Sequence, residues 1–276
     1  MSLYLFSISF TTQPRTDAAF LASVITGHNK CGMPSYVESS SIFGSININL
    51  HLSGVCLNNK DRIDDKVYGG GPGMVFKSEP IQKCIKHTKD TFSGSSKVIH
   101  LSASGETFTA QKARELSKED SLIFLSSRYE GLDQRVIDAE VDREISIGDY
   151  VLTGGEIPSM VLLEAIIRFI DGVVGDEESV NNDSFENALL EHPQYTRPDQ
   201  NDLGEVPETL LSGNHDQIEK WKRKHSLGKT FLRRQDLIRQ HDLSQQDIDL
   251  VKEFLSDLGY ESDRIAEFLS IIDNEN

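Results

Sequence analysis

Apolar residues return at helical spacing in one stretch near the middle of the chain: Ile157, Met160, Val161, Leu163, Ile166, Ile167 and Ile170. With Pro158 suited to a first turn, this spacing predicts a long helix over Glu156–Asp171. Shorter apolar runs precede it. Lys97–Leu101 (KVIHL) and Ser121–Leu125 (SLIFL) read as strands, Glu144–Ile147 as an extended segment, and the opening Met1–Phe10 as a first strand. Ala110–Lys118 and Leu132–Ala139 read as helices between them. Strands alternating with helices predict an α/β fold with a largely parallel sheet. Beyond Gly172 the pattern lapses into the acidic, weakly apolar Asp176–Asn182, which reads as a linker, and helical segments follow. Ser244-Gln245-Gln246-Asp247 resembles a capping box opening a helix through Leu258 that stops at Gly259.

A length of 276 residues accommodates one large domain or a larger and a smaller one. Charged residues at 26% and hydrophobic ones at 37% describe an ordinary globular protein. No apolar run reaches the ~18–20 residues of a membrane span, and the opening segment lacks a basic n-region and cleavage site. The expectation is a cytoplasmic protein without a membrane partner. Cys31, Cys56 and Cys84 are odd in number and widely spaced, as buried or idle thiols in a reducing compartment would be, with no CxxC or His/Cys cluster for structural zinc.

A net charge of −16 weighs against nucleic acid, because neutralising phosphates supplies most of that affinity. Distribution weighs more than the total. Between His215 and Gln240, Lys220, Lys222, Arg223, Lys224, Lys229, Arg233, Arg234 and Arg239 face only Asp216, Glu219 and Asp236, with Trp221 and Phe231 among them. Such a run is either a solvated helix face or an RNA footprint.

Candidate chemistry begins at Tyr68-Gly69-Gly70-Gly71-Pro72-Gly73-Met74, preceded by Asp64-Asp65. So many glycines leave a backbone able to take positive φ and approach a polyanion or flat ring, or else simply a mobile surface loop. Neither the dinucleotide nor the P-loop spacing fits it. A second glycine-rich segment, Ser146–Glu156, runs straight into the predicted long helix. Gly154 and Gly155 thus stand at a strand-to-helix junction, where unpaired N–H groups hold a ligand's polar edge or merely turn the chain into a core helix.

Together with Ser127-Arg128-Tyr129-Glu130-Gly131-Leu132-Asp133 and Asn182-Asp183-Ser184-Phe185, these segments resemble the bacterial tRNA (guanine-N1)-methyltransferases, in order and in spacing. The resemblance runs from about Asp64 to about Arg234; residues 1–60 show no counterpart of the family's opening Phe-Pro-Glu motif. It implies S-adenosylmethionine as methyl donor, tRNA as substrate and N1 of the guanosine just 3′ of the anticodon as the methylated atom. It implies a knotted S-adenosylmethionine-binding domain over 1–172, carrying a deep trefoil knot, a linker over 173–183 and a small helical tRNA-binding domain over 184–276. A symmetric homodimer with its active site between subunits is implied as well.

By the same resemblance the cofactor lies among three loops, His100–Gly105, Ser127–Gly131 and Ser146–Gly155. Leu101, Ser102 and Gly105 contribute from the first; Ser127, Glu130 and Gly131 from the second; Ser146, Ile147, Gly148, Asp149, Tyr150, Val151, Leu152, Gly154 and Gly155 from the third. Ala103 and Ser127 depart from the family's usual proline and glycine. Asp183 is implied as general base for the N1 proton, where the residues alone also allow an N-cap for a helix through Leu190. Arg168 is implied to stabilise charge on O6, where a cation at a helix C-terminus is the alternative. Asp64, Gly70, Gly71 and Gly73 would embrace the guanine, and Lys222, Arg223, Lys224 and Arg233 the rest of the tRNA. Glu130 is a candidate for Mg²⁺, though a single carboxylate is a poor cage. Two rival readings are an inactive RNA-binding relative and a nucleotide-binding phosphotransferase.

Overall fold

A computed structural model describes residues 4–10, 37–43, 46–52, 63–90, 94–127, 130–170, 184–185, 188–240 and 243–273. The chain divides into two compact units, Met1–Gly175 and Asp176–Asn276. The first is built on a six-stranded sheet formed by β1 (Tyr4–Phe10), β2 (Val37–Phe43), β3 (Ile46–Leu52), β6 (Lys97–Thr107), β7 (Ser121–Ser126) and β8 (Arg143–Ser146). Their order is β2-β3-β1-β7-β6-β8. A separate hairpin pairs β4 (Asp64–Lys66) with β5 (Met74–Phe76).

The expected largely parallel sheet is mixed. The ladders β6–β7 and β6–β8 are parallel, but β1–β3, β1–β7 and β2–β3 are antiparallel. Connection length accounts for the β2–β3 pair: only two residues separate these strands, too few for the crossover a parallel return needs.

Among the described residues, four helices cover the sheet: α1 (Ser78–Lys89), α2 (Ala110–Leu116), α3 (Gln134–Glu140) and α4 (Glu156–Ile167). All six residues of β7 are buried, as in a strand covered on both faces. Ile123 and Leu125 point with Val98 into one core, with Ile81, Cys84 and Ile85 of α1 and Val136 of α3. Leu122 and Phe124 point the other way with Ile99 and Ile145, into a core with Ala113 and Leu116 of α2 and Leu162 and Ile166 of α4. The α4 helix ends at Ile167, short of the expected Asp171, and Phe169 and Ile170 close it with N–H bonds three residues back.

Strand β6 outruns its predicted end at Leu101. Leu101 and Glu106 both oppose Ile145, so residues 102–105 leave the ladder and return to it. A Cβ on Gly105 would lie 2.5 Å from the Ile145 nitrogen and the Glu144 carbonyl carbon, so only glycine lets the backbones pass this closely.

In the second unit, α5 (His215–Arg233), α6 (Gln235–Gln240), α7 (Gln245–Asp257) and α8 (Ser262–Asp273) gather around Leu227, Phe231, Ile238, Leu250, Val251, Leu255 and Ile265. The capping box at Ser244 and Asp247 forms as predicted, and Gly259 takes φ +83 just past the end of α7. No helix covers Ser184–Leu190 among the described residues. Phe185 and Ala188 have positive φ, which a right-handed helix excludes, so the expected helix behind an Asp183 cap is not there. Asp183 itself, the linker 173–183, Cys31 and Cys56 lie outside the described residues; Cys84 is buried.

Candidate active site

The carboxyl ends of the three parallel strands, with the loops that follow them, enclose a cleft of about 410 Å³. This is where open α/β sheets place their ligands. Every residue assigned above to the cofactor lines this cleft except Gly105, pressed against the β8 backbone, and Asp149, which is exposed. Sequence reasoning missed Leu132, Gln134, Ile137, Glu144, Ile145 and Pro158, which also line it. For Glu144 and Ile145 the available signal is adjacency: both belong to a strand that runs into the glycine-rich segment Ser146–Glu156.

The loops hold one another through a short chain of bonds. The Gly155 N–H donates to the Ser127 carbonyl (3.1 Å), and the Gly155 carbonyl accepts from the Ser159 hydroxyl (2.8 Å). The Ser126 and Ser159 hydroxyls meet at 2.8 Å, both buried. A Cβ on Gly155 would come within 2.8 Å of the Ser126 Cα, so the start of α4 and the end of β7 touch backbone to backbone. Across the cleft Gly148 takes φ +146, its amide bonded to the Ser146 hydroxyl (3.2 Å), with the Tyr150 ring lying over it.

His100 is buried at the floor of the cleft, with Nδ1 3.0 Å from a Glu144 carboxylate oxygen and Nε2 3.1 Å from the Ser127 hydroxyl. Burial holds the imidazole below its usual pKa, against the opposing pull of the Glu144 carboxylate.

The glycine-rich loop reaches this cleft through non-local pairing. Glu130 N–H donates to Met74, Phe76 N–H to Gly131, and Asp133 N–H to Phe76, at 3.1–3.2 Å. Gly69, Gly70, Gly71 and Gly73 all have positive φ. Gly73 lies so close to Glu130 that a Cβ there would sit 2.5 Å from its Cγ and Oε1. Glu130 therefore joins the loop to the rim of the cleft. Gly70 and Gly71 face open space, whereas Asp64, expected at the guanine, is buried at 8% exposure. Arg168 is the exposed C-cap of α4.

The basic run of α5 is largely engaged within its own unit. Lys222 pairs with Glu219 at 2.7 Å, Arg223 with Asp247 at 2.9 Å, and Lys224 with Asp257 and Glu253 at 2.7 and 2.9 Å. The Lys224 side chain is only 12% exposed. Arg233 is exposed and carries no ion pair among the described residues.

The cleft fits S-adenosylmethionine. Leu101, Ile137, Ile147 and Leu152 offer apolar surface for a flat ring, the loops offer backbone groups for its edge, and the Glu130 and Glu144 carboxylates suit a cationic ligand. For Mg²⁺ the fit is poor. No group of three or more His, Cys, Asp or Glu suited to a metal ion occurs among the described residues, and Glu130 stands as a single carboxylate at the rim.

A sequence model of the family described as tRNA (guanine-1)-methyltransferase TrmD matches residues 40–240. The tRNA (guanine-N(1)-)-methyltransferase of Dictyoglomus turgidum is 49% identical over 199 residues, covering 72% of this chain and 80% of that protein. The enzyme of the same name from Coxiella burnetii is 48% identical over 195 residues, covering 71% and 79%. That from Vibrio cholerae is 45% identical over 199 residues, covering 72% and 81%. The match begins well ahead of Asp64 and takes in β3, so the likeness extends into the first sixty residues. No helix is long and apolar enough to cross a membrane among the described residues. A cleft walled by the three loops, with the glycine-rich hairpin at its rim, and relatives that align across most of both chains, lead to one assignment: the chain belongs to the tRNA (guanine-1)-methyltransferase family.

Proposed function

We propose that this chain transfers the methyl group of S-adenosylmethionine to N1 of the guanosine immediately 3′ of the anticodon in tRNA. The observation that carries this reading is the cleft of three loops in a chain about half identical to tRNA (guanine-N(1)-)-methyltransferases. S-adenosylmethionine supplies an electrophilic methyl group on a sulfonium. The residues lining the three loops hold it, with Leu101, Ile147 and Leu152 against the adenine and the backbone at Gly154 reading its edge, while Gly155, bonded to Ser127 and Ser159, fixes the junction beside it. Asp183 takes the N1 proton as the N–C bond forms, and Arg168 offsets the charge that moves to O6. Gly70, Gly71 and Gly73 admit the guanine, which must leave its stack to expose the Watson–Crick edge.

The wider architecture belongs to the same proposal: a trefoil-knotted domain over 1–172, a linker and a helical tRNA-binding domain over 184–276. The chain acts as a cytoplasmic homodimer. Ile157 and Val161, one turn apart on α4, are 62% and 43% exposed beside Val151 at 85%, an apolar face that a second copy would cover. No step is assigned to Mg²⁺.

Incubating the protein with S-adenosylmethionine labelled in its methyl group and a tRNA transcript, then mapping the product, should place label on guanine N1 next to the anticodon. A transcript with adenosine at that position should take up none. RNA binding without transfer would point to an inactive relative, and calorimetric nucleotide binding without transfer to a phosphotransferase.

The ion pairs of α5 make Arg233 the basic residue best placed to meet phosphate. Arg233→Gln should weaken tRNA binding and flatten its dependence on log salt by about 0.7–0.9. Lys224→Gln, which leaves Glu253 and Asp257 facing each other, should instead lower the melting temperature by roughly 2–4 °C. An unchanged salt slope in Arg233→Gln would move the RNA surface away from α5.

A further inference from the structure

We infer that His100 is a positioning residue for the cofactor wall, its imidazole tying Glu144 of β8 to Ser127 after β7 and so holding the peptide to which Gly155 is bonded. The inference rests on the cleft being the S-adenosylmethionine site.

Three segments distant in sequence meet at this ring. Nδ1 lies 3.0 Å from Glu144 Oε1 and Nε2 3.1 Å from Ser127 Oγ, with His100 only 4% exposed. A carboxylate can only accept, so Nδ1 carries the proton that Glu144 receives. Nε2 is left as an acceptor, and the Ser127 hydroxyl must donate to it. Burial favours this neutral ring. The Ser127 rotor is thereby fixed, and the same residue's carbonyl accepts from the Gly155 N–H at 3.1 Å. His100, Glu144, Ser127 and Gly155 all border the cleft, so the bonds run along its wall. Losing the imidazole would free Ser127 and leave Glu144 without its ring partner. The loop behind β7 could then drift from the start of α4, and the cleft would have to be ordered again each time the cofactor binds.

The test is a double-mutant cycle on S-adenosylmethionine affinity, measured by calorimetry on the full chain. Ser127→Ala and His100→Phe should each weaken binding on the order of tenfold. The double variant should be no weaker than the worse single one, because both remove the same contact. His100→Gln, whose amide reaches the Nε2 position and can accept from Ser127, should restore affinity to within a few-fold. The loss should appear in KM for S-adenosylmethionine more than in kcat. Should His100→Phe fail to fold, Ser127→Ala and His100→Gln carry the test alone. Multiplying effects in the double variant, or unchanged affinity in Ser127→Ala, would overturn the positioning role while leaving the proposed function intact. A wild-type protein that binds no S-adenosylmethionine would overturn both.

Discussion

Asp183→Asn should slow methyl transfer by about 10²–10⁴-fold, the range expected when a general base is removed from a proton transfer. Guanine N1 holds its proton at neutral pH, so its lone pair is available to attack only as that proton leaves. Asparagine keeps the size and one hydrogen-bonding oxygen of aspartate but has almost no basicity. Substrate and cofactor should still bind, and the defect should appear in single-turnover rates at saturating concentrations of both. The competing structural role has lost its basis: Phe185 and Ala188 have positive φ, so no helix follows for Asp183 to cap. Folding should therefore be nearly unchanged by the substitution. Transfer within a few-fold of wild type would remove Asp183 from the mechanism and direct attention to another carboxylate.

How far the sequence reveals the molecule depends on whether each signal is local. The capping box at Ser244, the apolar run Ser121–Leu125 and the apolar spacing of α4 are local, and all three elements form, although α4 stops at Ile167 rather than Asp171. Local signals also mark two elements that were not predicted. Ile46, Ile48, Leu50 and Leu52 alternate with Asn47, Asn49 and His51 in β3, and Ile81, Cys84, Ile85 and Thr88 trace the buried stripe of α1. Lysines at 83, 86 and 89 dilute that stripe. The relation of the glycine-rich loop to the cleft is a different matter. It depends on Met74–Phe76 bonding to Glu130–Asp133, more than fifty residues on, and no periodicity encodes such a pairing.

The charge of the basic run is likewise not read from one helix alone. Asp247, Glu253 and Asp257, which answer Arg223 and Lys224, come from α7, so part of the excess summed along one helix is met across the interface between two. The cofactor loops were legible only through resemblance to a family. Their glycines, unlike those of a P-loop, are placed by tertiary contact: Gly105 by the backbone of β8 and Gly155 by the end of β7.

Gly155→Val should abolish measurable S-adenosylmethionine binding, a loss of at least about 100-fold, while the second unit keeps its helices. The Cβ would arrive 2.8 Å from the Ser126 Cα and 3.1 Å from its Cβ. The obstacle is backbone in a fully buried strand, which cannot swing aside as a flexible side chain would. Overpacking of this kind costs about 1–3 kcal/mol when the structure yields. Here yielding means parting α4 from β7, which breaks the Gly155 N–H bond to Ser127 and the Ser126–Ser159 contact together. The ligand site is built from that junction, so the cost falls on the cleft before it falls on the sheet. Gly155→Ala should give a graded version, weaker in binding but folded, and circular dichroism with calorimetry on both variants separates a lost site from a lost fold. Gly204→Ala is the matched control: it lies in a hairpin of the other unit, at φ +140 with nothing within 4 Å, and strains its own backbone without touching the cleft. Unchanged cofactor affinity in a folded Gly155→Val protein would mean that the ligand does not use the junction of β7 with α4, and the three-loop site would have to be abandoned.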